Sequence, residues 1–107
     1  MVLLNSSTCN FDWKPENFNF TSLQEQQGSL YDLLGINGIL VMFICNHCPY
    51  VKAIEEKISI ETDRIKKLGV NSIAIMSNDQ SLYIEDSDDG LREQIKRANF
   101  NFPYVVD

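Results

Sequence analysis

Cys45 and Cys48 stand three residues apart, with the chain's only histidine, His47, between them. In isolation a C-x-x-C pair is compatible with thiol–disulfide exchange, with half of a zinc site, or with chance. Its position favours exchange. Cys45 follows an apolar run, and an amphipathic pattern begins at Pro49, so the pair falls at a strand-to-helix junction. Backbone N–H groups and the helix dipole favour an anion there, which predicts a lowered thiol pKa at Cys45 and an enriched thiolate. Cys48, about one turn on, is placed to attack a mixed disulfide at Cys45 and release the product. A structural zinc site needs about four ligands. Only Cys45, Cys48, His47 and the remote Cys9 are offered, and His47 between the cysteines is poorly placed to join them, so no metal is expected. His47 reads either as an exposed loop imidazole or as a group that, when charged, stabilises the Cys45 thiolate and makes the disulfide more oxidising. Asn46 reads as a residue that helps turn the chain. Pro49 lacks a donor, which costs nothing in a first helical turn. Cys9 reads as a spare thiol.

The surrounding pattern supplies elements to hold these residues. Residues 1–17 lack periodicity and read as an irregular arm, with Phe11 and Trp13 expected to pin it to the body. Phe18 to Leu23 alternates apolar and polar, the period of a half-buried strand. Gln26–Ser29 reads as a turn and Leu30–Tyr31 as a short return strand. Ile39 to Ile44 is continuously apolar, as expected of a central strand covered on both faces. From Pro49 onward, Val51, Ile54, Ile58, Ile65 and Leu68 fall on one helical face, and Gly69 ends that helix. Val70–Met76 reads as a second strand, followed by the turn Ser77-Asn78-Asp79. Asn78 and Asp79 are turn formers first and secondary candidates for lining the site, because ligands gather beyond the carboxyl ends of parallel strands. Asp86 or Ser87 would cap a last helix carrying Leu91, Ile95 and Ala98. The acidic stretch 85–89 reads as its solvated start. Phe102–Val106 begins a third strand, and the phenylalanines 18, 20, 43, 100 and 102 read as core. Strand–helix–strand–helix–strand predicts an α/β layer with parallel, right-handed crossovers.

Composition narrows the function classes. The chain has 107 residues, 44% hydrophobic and 22% charged, with formal charge −6; this is a globular composition without the basic stripe of a nucleic-acid binder. No apolar run approaches the roughly 18–20 residues of a membrane helix. The opening Met1-Val2-Leu3-Leu4 lacks a basic region, so a signal peptide is not expected and the default address is cytoplasmic. Cysteines there are more often catalytic or metal-binding than structural.

The run Phe43-Ile44-Cys45-Asn46-His47-Cys48-Pro49-Tyr50-Val51-Lys52 resembles the active-site segment of thioredoxin-like proteins in the redoxin/AhpC-TSA (peroxiredoxin-like) superfamily. Ser77-Asn78-Asp79, Glu85-Asp86-Ser87 and Phe102-Pro103-Tyr104 fit the same group. The resemblance covers about residue 15 to the end. It implies an α/β fold with a thioredoxin-like βαβ core and an N-terminal β-hairpin extension. It also implies Cys45 as attacking and Cys48 as resolving thiol. Thioredoxins carry a buried acid six positions before the first cysteine; here that position is Ile39, and no general base for Cys48 is identified. The family continues into a cis-Pro loop, a β-hairpin and a helix, so residues 18–107 read as an incomplete domain, truncated before those elements. An unpaired sheet edge is then expected to invite self-association.

The leading expectation is a thiol–disulfide oxidoreductase with no cofactor beyond a redox-active Cys45–Cys48 disulfide. Its partners would be a disulfide-containing protein or small thiol substrate and a reductant. One alternative is a thiol-dependent peroxidase, disfavoured because residue 42 is Met where such enzymes carry Thr and because Arg64, Arg92 and Arg97 are expected away from the motif. The other is an inactive fragment or binding module that retains the motif.

Overall fold

The computed structural model describes residues 8–107. Strands β1 (Asn19–Thr21) and β2 (Gln27–Ser29) form an antiparallel hairpin pairing Asn19 with Ser29 and Thr21 with Gln27. Residues expected to turn therefore form the return strand, and Leu30 leads into a 3-10 turn at Tyr31–Leu33. The true turn lies earlier. Ser22 donates its N–H to the Gln26 carbonyl and its hydroxyl receives Gln26 N, which holds Glu25 at φ +64°. Phe20 and Leu30 then share one buried cluster with Ile73 and Val105.

Three parallel strands make the main sheet in the order β3-β4-β5: Gly38–Phe43, Val70–Met76 and Tyr104–Val106. Helix α1 (Pro49–Lys66) connects the first two and α2 (Asp88–Ala98) precedes the third. Gly69, at φ +87°, redirects the chain after α1 as expected. Ser87 caps α2 by accepting Gly90 N at 3.1 Å, and left-handed Asn99 closes its end. Among the described residues β4 is the central strand, with Ile73, Ala74 and Met76 fully buried. The expectation of a doubly covered strand at 39–44 is not met among the described residues, where β3 pairs with β4 alone and Leu40 and Phe43 are exposed.

Alternation along β4 divides the core. Ile73 points to the hairpin side, whereas Ala74 and Met76 join Leu23, Cys45, Leu91, Ala98, Phe100, Phe102 and Tyr104. Of the phenylalanines expected inside, Phe20, Phe100 and Phe102 are buried, but Phe18 and Phe43 are exposed. Helix α1 seats Ser59 and Thr62 inward, with Ser59 Oγ donating to the Asn99 carbonyl at 2.8 Å. Ile54 and Leu68 of its expected apolar face remain exposed. Ile54, Ile58 and Ile65 instead line an open groove with Leu40 and Met42 along the β3 edge. Phe11 and Trp13 are 94% and 67% exposed and do not pin the arm. Hydrogen bonds from Tyr31 to the Pro15 carbonyl and to Asn17 Oδ1 hold it instead. Among the described residues no helix is long and apolar enough to cross a membrane.

Candidate active site

The motif occupies the β3–α1 junction. Ile44 still donates to the Ile75 carbonyl, and the chain then leaves the sheet at Cys45. Cys48 is the N-cap residue of α1 in extended conformation, and Pro49 sits in the first turn. Cys45 is buried and Cys48 half-buried, so a reactant meets Cys48 more openly than Cys45.

Asp86 organises this junction from forty residues away. Its side chain is fully buried. Its Oδ1 accepts the N–H groups of Asn46 (2.7 Å) and His47 (3.1 Å), and its Oδ2 pairs with His47 Nδ1. Tyr83 stacks flat on the His47 ring, with centroids 3.9 Å apart and planes 4° from parallel. The expectation that 85–89 is wholly solvated is therefore corrected at Asp86. The 3-10 turn at Ile84–Asp86 rotates this one acid inward while Glu85, Asp88 and Asp89 face water. No spacing in the sequence distinguishes it from its acidic neighbours.

Helix α2 contributes the remaining ties. Asn46 is 3% exposed and does more than turn the chain: its Nδ2 donates to the Gly90 carbonyl (3.0 Å) and its Oδ1 accepts Arg97 Nη2 (2.7 Å). Arg97 also donates to Glu55 of α1 at 2.7 Å. Hence Arg97, unlike the expectation for all three arginines, lies beside the motif; its guanidinium engages Asn46 and Glu55. Buried Gln94 donates to the Cys45 carbonyl at 3.1 Å and accepts the Tyr104 hydroxyl at 2.9 Å. Burial, aided by negative charge at Cys45, Asp86 and Glu55, pushes the Tyr104 phenol well above its ordinary range, so it stays a neutral donor. Asn78 and Asp79 are exposed and serve their own turn. Asp79 receives Ser81 N and Ser81 Oγ, whereas Gln80 reaches the Asp86 carbonyl at 3.0 Å.

The electrostatics at Cys45 run against the expectation of a lowered pKa. Burial pushes the thiol up; N–H groups of Cys48 and, more weakly, His47 pull it down, while Asp86 and Cys48 raise it further. Desolvation and neighbouring negative charge outweigh the helix terminus at this depth. The side chains also converge as potential ligands. Cys45 Sγ, a His47 ring nitrogen and an Asp86 oxygen all lie within 4.8 Å of one another.

A parallel β3-β4-β5 layer, flanking helices and a cysteine pair opening α1 define a thioredoxin-like redoxin fold. The chain belongs to the AhpC/TSA family, whose sequence pattern it matches over residues 14–107. It is similar to the crystal structure of an uncharacterized conserved protein from Geobacillus kaustophilus: 31% identity, TM-score 0.79, covering 86% of this chain and 49% of that one. A hypothetical protein from Sinorhizobium meliloti 1021 superposes with TM-score 0.82 at 23% identity, covering 94% of this chain and 55% of the other. A secreted Mycobacterium tuberculosis disulfide oxidoreductase shares the fold at 16% identity and TM-score 0.66, covering 84% of this chain and 60% of its own. The chain thus spans about half the length of the first two solved structures. No curated protein matches it.

Proposed function

We propose that this chain carries the dithiol half of a thiol–disulfide oxidoreductase, with Cys45 as nucleophile and Cys48 as resolving thiol. The supporting observation is the placement of the pair at the β3–α1 junction, Cys45 leaving the strand and Cys48 capping the helix. There the N–H groups of Cys48 and His47 offset part of the burial and negative charge that hold the Cys45 thiol up. In the first step the Cys45 thiolate attacks one sulfur of a substrate disulfide. A Cys45–S–S–R bond forms, and the other substrate sulfur leaves as a thiolate that takes up a proton. Deprotonated Cys48 then attacks Cys45 Sγ, closes the Cys45–Cys48 disulfide and releases the second substrate thiol. The substrate is reduced by two electrons, and an external thiol reductant restores the dithiol. Substrates are disulfide-containing proteins or small disulfides, and the cytoplasm is the setting in which a reduced pair would be maintained.

The test is insulin-reduction turbidity measured beside peroxide consumption. The expected result is insulin reduction that Cys45→Ser abolishes, with Cys48→Ser trapping a mixed disulfide at Cys45. Undiminished insulin reduction by the Cys45→Ser variant overturns the assignment. Peroxide consumption without insulin reduction replaces it with the peroxidase reading, and inactivity of the wild-type chain in both assays replaces it with a non-catalytic module.

A further inference from the structure

Three donors of different chemistry converge on one point, two of them buried and His47 half-buried: the Cys45 sulfur, a His47 ring nitrogen and an Asp86 carboxylate oxygen, mutually within 4.8 Å. We propose that the reduced chain binds one divalent cation of the Zn2+ type at this point, through Cys45, His47 and Asp86.

The donor set suits the ion. A thiolate, an imidazole and a carboxylate are all ordinary zinc ligands at about 2.0–2.3 Å. Ligands at those lengths around one tetrahedral centre stand about 3–4 Å from each other. Closing on an ion therefore requires the contacting His47–Asp86 pair to move apart within a cluster whose donors already lie within 4.8 Å. The charges balance as well. A thiolate and a carboxylate around a divalent cation with a neutral imidazole make an uncharged site, the form that burial favours. Ligation through the thiolate releases the Cys45 proton to solvent as the cation binds.

The ligands are also held in place from behind, as metal ligands usually are. Asp86 Oδ1 is occupied by the Asn46 and His47 N–H groups, which leaves Oδ2 turned toward His47. Tyr83 fixes the imidazole plane, and Gln94 anchors the Cys45 carbonyl. The competing interaction is the direct contact between His47 Nδ1 and Asp86 Oδ2, which the cation must displace. Cys48 or water completes four-coordination. The site does not depend on the exchange reading above, although both use the Cys45 sulfur, so bound cation and substrate disulfide exclude one another.

The experiment is an anaerobic Co2+ titration of the reduced chain, followed by Zn2+ displacement. The expected result is one equivalent of tetrahedral cobalt with a thiolate-to-cobalt charge-transfer band, lost in Cys45→Ser and retained in Cys9→Ser. Affinity should fall by at least about tenfold in Asp86→Asn and in His47→Ala. His47 is a partly exposed ring, so its variant keeps the test valid if the Asp86 variant unfolds; circular dichroism reports which has happened. Absence of the band in the wild type overturns the proposal. So does a band of unchanged affinity in His47→Ala, which would mean a site built from cysteines alone. Cobalt binding without insulin reduction would sink the exchange reading and keep this one; insulin reduction without cobalt binding would do the reverse.

Discussion

Replacing Asp86 with alanine removes the acceptor for two backbone donors, the buried Asn46 N and the half-buried His47 N, and the partner of the His47 ring. A hydrogen bond to a charged group contributes about 1.5–3 kcal/mol. The two backbone bonds alone therefore place the loss at about 3–6 kcal/mol, much of the roughly 5–15 kcal/mol of a typical domain. Asparagine at the same position keeps the shape and one oxygen facing both N–H groups. Neutral acceptors are about half as strong as charged ones, so Asp86→Asn should lose about half as much. Urea unfolding with a chelator present measures both variants without any contribution from bound metal. The expected order is wild type, then Asn, then Ala. Two variants within about 0.5 kcal/mol of wild type would show that the loop does not rest on this carboxylate. Equal losses for Asn and Ala would show that charge, not the N–H acceptor, is what matters.

Other outcomes follow from neighbouring contacts. Gly90→Ala, which in an open helix would gain about 1 kcal/mol, should instead lose about 1–3 kcal/mol in unfolding experiments, because the new Cβ collides with the Glu85 carbonyl. Gln94→Leu strands the Tyr104 hydroxyl and the Cys45 carbonyl, at about 1–3 kcal/mol each; adding Tyr104→Phe should recover part of the loss in a double-mutant cycle. Glu55 is held below its ordinary value of 4.5 chiefly by its hydrogen bond to Arg97. Its contribution is therefore present above the unfolded-state value and lost as pH falls through the lower folded value. Wild-type stability should exceed that of Glu55→Gln at neutral pH, with the difference closing in acid when urea midpoints are compared.

Much of the layer was legible because it depends on local pattern. The strand at 70–76, the helix starting at Pro49, the Ser87 cap and the glycine stop at 69 rest on periodicity, capping chemistry and backbone freedom that neighbouring residues carry themselves. The hairpin lies a few residues earlier than its pattern suggests, because Ser22 and Gln26 close a turn around a left-handed Glu25, a conformation that composition does not mark. Ile54, Phe43 and Leu40 have the apolar character of core residues, yet strand order decides whether a neighbour covers them, and among the described residues β3 pairs on one side only.

At the site the division is sharper. The chain order alone determined that two thiols open a helix after a strand, because junction and spacing are both local. It could not determine that Asp86 turns inward beneath them, that Asn46 is stitched to Gly90 and Arg97, or that Gln94 holds the Cys45 carbonyl. Those partners lie about 40–50 residues away, and one acid among several acquires its role only when a loop folds over a junction it does not adjoin in sequence. The direction of the Cys45 shift has the same origin. A helix terminus is visible in sequence, but burial and a distant carboxylate exist only in the assembled fold, and together they prevail.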